Sequence, residues 1–274
     1  MKTSRASGLQ IAFFMFAVLL LSVPLGRAAV QNYEGPADEK ALIQRLVPFA
    51  IFALIVMAFP ALRRRAREAL QAPISPSKRV EVAIVALSMP LLAMASAGAL
   101  ALWTWTAHGS LGLARMTVDM EAELTRAFSP AGLAQSLVLG AIVAPILEEL
   151  LCRGFLYRAF EHQWGWSASV FLTSVIFGIY HPYFLNAFLT SIVFVCILRR
   201  TRSLRSSIIV HSTSNLMMWW PLMGQFVFPD GSRAPGELAT WRLQLACLVV
   251  AMIALPAYVW MSRDATVKDA SLPK

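Results

Sequence analysis

Eight apolar segments, at roughly 8–25, 46–62, 82–106, 132–152, 167–183, 184–198, 206–224 and 243–261, occupy most of the 274-residue chain. Long uncharged runs are what a bilayer demands, and within lipid only helices and closed barrels satisfy their own backbone. Charged residues make up 14% of the chain and the mean hydropathy is +0.62, whereas a soluble domain is about 25% charged. These values exclude a disordered chain, a disulfide-knotted mini-domain and most soluble enzymes. The expected fold class is all-α: a polytopic integral membrane protein with about eight transmembrane helices.

The formal charge of +9 and pI near 10.0 raise the question of nucleic acid. The basic residues instead cluster in short blocks at the ends of apolar runs, as membrane-anchoring flanks do. No soluble basic face is present for a nucleic acid to bind, so the expected partners are the lipid bilayer and a membrane-associated substrate. With the N-terminus inside, 17 of the 24 Lys and Arg fall in cytoplasmic pieces, including Arg63–Arg65, Arg153, Arg199 and Arg200. This asymmetry predicts both termini in the cytoplasm, in what reads as a bacterial inner (plasma) membrane. The first segment has a second reading. Lys2 and Arg5, the run Gly8–Leu25 and then Gly26-Arg27-Ala28 resemble a signal peptide with a small-residue cleavage site. Its run exceeds the usual ~7–15-residue signal core, so a retained helix is expected; cleavage would leave seven spans. Cys152, Cys196 and Cys247 all sit in or beside apolar runs and read as small apolar fillers rather than a disulfide framework.

Polar residues inside the apolar segments carry the chemistry. Glu148 and Glu149 interrupt the fourth segment, His181 closes the fifth, and His211 and Asn215 lie in the seventh. One carboxylate at mid-bilayer costs about 2.5–3.5 kcal/mol to insert, so such residues by default face a cavity. Adjacent helical residues point ~100° apart, so Glu148 and Glu149 face different partners. Glu149 and Arg153 are i,i+4, a spacing at which carboxylate and guanidinium meet, and His211 and Asn215 share a helix face in the same way. Glu148 lies 16 residues before Trp164 and His181 lies 17 after it. A hairpin turning near 163–165 therefore brings them to one height. Pro182 disfavours helical geometry at His181, and Pro145 loosens the turn before Glu148. His108 and His162 are expected in solvated loops.

A carboxylate, two imidazoles and an amide in a wet pocket suffice for hydrolysis without a nucleophilic side chain. Glu148 would take a proton from water as general base. His211 and Asn215 would donate to the developing oxyanion, and His181 would orient the water. A His₂Glu zinc site formed by Glu148, His181 and His211 is the rival, with the open position that catalytic zinc keeps. Asn215 is a poor zinc ligand, and no HExxH pair is present. The expectation is therefore no cofactor, with zinc as the alternative.

The same residues carry a resemblance. Glu148-Glu149-Leu150-Leu151-Cys152-Arg153-Gly154, Phe177-Gly178-Ile179-Tyr180-His181 and His211-Ser212-Thr213-Ser214-Asn215 resemble the EExxxRG, FxxxH and HxxxN motifs of the CPBP family. These are the CAAX-protease and bacteriocin-processing membrane proteins also called Abi. The three motifs stand in family order. The resemblance implies a glutamic-type intramembrane endopeptidase of the CAAX prenyl protease 2 kind, with Glu148, His181, His211 and Asn215 catalytic and Glu149 and Arg153 supporting. It further implies a core over 130–224; outside the match, the apolar segments predict N-terminal transmembrane helices over 1–129. A loop, last transmembrane helix and cytoplasmic tail follow over 225–274. The substrate would be a membrane-associated protein or peptide. Cys152 stands where family members often carry a bulky aromatic, which bears on local packing. A non-catalytic immunity or scaffolding protein is the alternative to an enzyme. A transporter is disfavoured, because the two halves hold no matching pair of interrupted spans.

Overall fold

The computed structural model describes residues 24–35, 37–124, 134–135, 137–181, 183–218 and 237–265, together with 10, 14, 17, 18, 21 and 22. The protein is an all-α integral membrane protein, and among the described residues there is no strand. Helix α1 runs Ala37–Ala58, α2 Pro60–Gln71 and α3 Arg79–Leu124. A short helix α4, Ala144–Glu149, lies between two π-helical stretches, Leu139–Val143 and Leu150–Tyr157. Then follow α5, Arg158–Ile179, α6, Phe184–Thr201, α7, Leu204–Met218, and α8, Glu237–Ser262.

Pro60 sets the first turning point. Phe59 before it takes extended geometry (φ −100°, ψ 110°), as a residue ahead of proline prefers. The axis bends by 105° between α1 and α2. The segment expected at 46–62 thus ends as a straight helix at Ala58. The basic block Arg63–Arg65 lies on a separate amphipathic helix, where Leu62, Ala66 and Ala69 are buried at the spacing of one helix face.

The stretch after 106, expected as a loop, continues as helix to Leu124, broken at Gly109 (φ 63°). His108 and His162 are therefore exposed on helices rather than in loops. Gly109 supplies the one break, and the stretch after it, rich in Leu, Ala, Met and Glu, resumes the helix.

Gly165 (φ 77°) breaks α5, a left-handed conformation that favours glycine, at the place where the hairpin was expected to turn. The next turn, between α5 and α6, is equally tight. A Cβ on Gly178 would stand 2.9 Å from the Phe184 ring and 3.2 Å from its carbonyl oxygen. Arg202, in the left-handed region (φ 57°), ends α6 by donating its N–H to Leu198 O at 2.7 Å, an αL cap. Only Arg202 and Ser203 separate α6 from α7, so the two helices pack as neighbours.

Among the described residues three helices are long and apolar enough to cross a bilayer: Pro76–Gly112, Phe184–Thr201 and Leu243–Ser262. The bent pair Leu46–Ala58 and Pro60–Gln71 raises this to four if it counts as one span. The segments expected at 132–152, 167–183 and 206–224 overlap the Leu139–Tyr157 region, α5 and α7. Their polar residues and breaks lower their hydropathy because they face protein rather than lipid. The expected span at 8–25 and the end of 206–224 lie largely outside the described residues.

The core gathers Phe52, Leu156, Tyr157, Phe177, Phe194 and Val210 from these helices. Arg153 and Arg199 lie within it, 0% and 3% exposed. From sequence both belong to the cytoplasmic flanks. They are structural cations bound to buried partners, so the charge asymmetry rests on two fewer residues and keeps its sign. The three cysteines are free and buried.

Candidate functional site

The π-helical stretch Leu139–Val143 precedes Pro145, which supplies no N–H, and a second π stretch begins directly after Glu149. Single π turns inside α-helices recur at functional sites. Here they flank the helical turn that carries both glutamates.

Glu149 is wholly buried, and every donor it meets is identifiable. Its Oε1 accepts from Arg153 Nη1 at 2.9 Å and from His211 Nδ1 at 3.0 Å, and its Oε2 accepts from the Ser207 hydroxyl. Arg153 also donates through Nη2 to Ser191 Oγ (2.8 Å) and Ser191 O (3.1 Å). Its guanidinium lies over the rings of Phe177 and Phe194, at 4.7 and 5.2 Å. The i,i+4 partnership expected from spacing is present. Its wider shell of Ser191, Ser207 and Phe194 was not foreseen. Ser207 lies four residues before His211, so helical spacing could have placed it on the histidine's face. Ser191 and Phe194 carry no comparable signal.

The two imidazoles are each held from behind. His181 stacks on Phe177 (centroids 4.3 Å apart), with Nδ1 2.6 Å from Phe177 O. His211 stacks on Phe194 at 4.5 Å. A carbonyl only accepts, so His181 Nδ1 carries a proton; His211 Nδ1, facing the Arg153-paired carboxylate, does the same. In their neutral forms both rings therefore present a bare Nε2 forward. Each Nε2 lies 3.7 Å from the same atom, Glu148 Oε2.

Three acceptors thus converge with no donor between them. At 3.7 Å they are beyond direct hydrogen-bond range, the separation at which a bridging water is the natural partner. A cavity of about 20 Å³ adjoins them, lined by Glu148 and His181 with Phe49, Phe52, Ile176 and Tyr180, and a single water needs about 10–15 Å³. The Glu148 side chain is 17% exposed and His181 28%, while His211 is 4% exposed.

Asn215 stands apart from this cluster. It shares α7 with His211, one turn on, but its Nδ2 donates to Gly140 O at 2.8 Å in the first π-helical stretch. Its second N–H is not used in that bond. Among the described residues no group of three or more His, Cys, Asp or Glu side chains is spaced to hold a metal ion. Tetrahedral zinc ligands at 2.0–2.1 Å stand about 3.4 Å from one another, a few tenths of an ångström less than the Glu148–imidazole separations. Each imidazole does have its outer nitrogen anchored, as ligating histidines do.

Residues 130–217 match the family described as type II CAAX prenyl endopeptidase, Rce1-like. The UPF0177 protein YbdI of Lactococcus lactis subsp. lactis (strain IL1403) is 32% identical over 85 residues, 30% of this chain and 45% of that one. The chain thus spans under half the length of that relative. No solved structure matches. All three motifs, and every side chain that converges on Glu148, fall inside the stretch that is similar to the Rce1-like CAAX endopeptidase family.

Proposed function

We propose that this protein is an intramembrane endopeptidase that hydrolyses a peptide bond of a membrane-associated protein or peptide, using a water activated by Glu148. The observation that carries the reading is the approach of His181 Nε2 and His211 Nε2 to one oxygen of Glu148. Acceptors in that arrangement bind a water through its two hydrogens and leave its lone pair free for attack.

Glu148 takes one proton as the water oxygen adds to the substrate carbonyl. The carbonyl oxygen becomes an oxyanion, stabilised by the second N–H of Asn215, while neutral His211 accepts from the attacking water through Nε2. Collapse of this intermediate breaks the C–N bond, and the proton held by Glu148 passes to the leaving nitrogen. His181, fixed by Phe177, holds the water on line. Glu149 and Arg153 act through His211 by setting its tautomer and direction.

Zinc held by Glu148, His181 and His211 is the second reading, favoured by the same inward-facing Nε2 atoms. When bound, it would polarise the water as a Lewis acid. Metal analysis of the purified protein separates the two. Activity without bound zinc and insensitive to chelator supports the first, and stoichiometric zinc that restores chelated protein supports the second. A non-catalytic immunity or scaffolding role predicts an unchanged phenotype in Glu148→Gln.

A further inference from the structure

A second cavity, of about 730 Å³, opens between α3, α6 and α8. All three walls belong to the helices long and apolar enough to cross a bilayer. Its sides include Ile84, Leu92, Val250 and Leu255. On α8, Ala254 and Ala257 present only methyl groups, so the wall stops short and leaves the space. A groove of this volume is of ligand size, and at membrane depth acyl chains, not water, are the surroundings.

The mouth is polar and charged. Glu81 accepts from Lys78 Nζ at 2.9 Å, is ion-paired with Arg200 Nε, and has Tyr258 OH within 3.5 Å. Arg200 also donates to Met261 O at 3.0 Å. Two cations share one carboxylate, so the mouth keeps one positive charge in excess. It sits where the start of α3 meets the ends of α6 and α8, beside Arg79 and Arg263.

We propose that this cavity binds an anionic glycerophospholipid, with an acyl chain between α3 and α8 and the phosphate at Lys78 and Arg200. The mouth's charge and the apolar walls match the two ends of that molecule. A second helix seated here would have to bring a carboxylate to the same point. The lipid also has a place in the architecture. Val193 and Arg200, seven residues apart, face the cavity from α6. Ser191 and Phe194 of the same helix hold Arg153 and His211. A lipid bound here buttresses the candidate site from behind, and the inference stands independently of the chemistry proposed there.

The test uses the full chain purified in dodecyl maltoside, with phospholipid counted by native mass spectrometry after addition of phosphatidylglycerol or phosphatidylcholine. One retained phospholipid per chain is expected, with phosphatidylglycerol preferred about five-fold for one net charge at the membrane surface. Ala254→Phe, which puts a ring into the path of the acyl chain, should reduce retention. Lys78→Gln at the mouth should keep the lipid and lose the preference. Should Ala254→Phe not fold, photocrosslinkable phosphatidylglycerol on the wild-type chain should label peptides of α3 and α8 around Ile84 and Ala254. Equal retention by wild type and Ala254→Phe, labelling elsewhere, or an unchanged preference in Lys78→Gln would overturn the proposal. So would an Ala254→Phe chain whose only change is a lost oligomer, because the occupant would then be another helix.

Discussion

Glu148 and Glu149 are neighbours in sequence with opposite surroundings, and substitution should separate them. Glu148 faces two bare Nε2 atoms across a gap, while Glu149 is closed in by Arg153, His211 and Ser207. Glu148→Gln removes the proposed base but keeps shape and volume. It should lower turnover by about 10²–10⁴-fold, the contribution of a general base, and leave the melting temperature within a few degrees. Glu149→Gln strands the guanidinium of Arg153 in the core, a loss of about 3–5 kcal/mol for breaking a buried pair. Its expected outcome is a protein that accumulates poorly or melts well below wild type in detergent. Equal stability of the two variants would contradict this division of roles. Much of the division was legible beforehand, because i,i+4 spacing pairs Glu149 with Arg153 and turns Glu148 away. The anchoring of His211 by Glu149 was not legible. It crosses 62 residues, and no local period reports a contact between helices.

At the scale of elements, proline and glycine were the readable signals. Gly165 marks a break where the structure has one, the helix that Pro182 was expected to interrupt ends at Ile179, and Phe59-Pro60 marks the bend that a hydropathy window runs through. The π-helical stretches around Glu148 are not legible in the sequence, because their residues, LGAIV and LLCRGFLY, are those of an ordinary apolar α-helix. Two substitutions test the turns. Gly178→Leu pushes a side chain into the Phe184 ring and carbonyl, and overpacking of this kind costs about 1–3 kcal/mol. Because the turn carries His181, activity should fall by more than the stability loss explains. Arg202→Gly should raise stability by up to about 1 kcal/mol, because a non-glycine residue in the left-handed region costs about 1–2 kcal/mol, partly offset by glycine's chain entropy. Thermal unfolding in a fixed detergent reads both. A destabilised Arg202→Gly would mean that the exposed side chain has a partner beyond its backbone.

For the whole molecule, the charge distribution and the fold make one statement. The helix ends that carry Arg200, Lys78 and Arg263 meet at one end of the molecule, and α2 exposes Arg63, Arg64 and Arg67. The orientation proposed from the positive-inside asymmetry places that end in the cytoplasm. Single-cysteine variants at Arg64 and Arg263 should react with a membrane-impermeant maleimide in inverted vesicles and not in intact spheroplasts. The three native cysteines are buried and give little background. Labelling of both sites from the outside would invert the topology.

The most direct test of the account is a comparison of membrane-proteome N- and C-termini between cells expressing the wild-type chain and cells expressing Glu148→Gln at equal levels. Proteolysis by a Glu148-activated water predicts at least one new terminus that is present with the wild type and absent with the variant. Its uncut precursor should accumulate in the variant. Identical sets of termini from two equally abundant, equally folded proteins would contradict it.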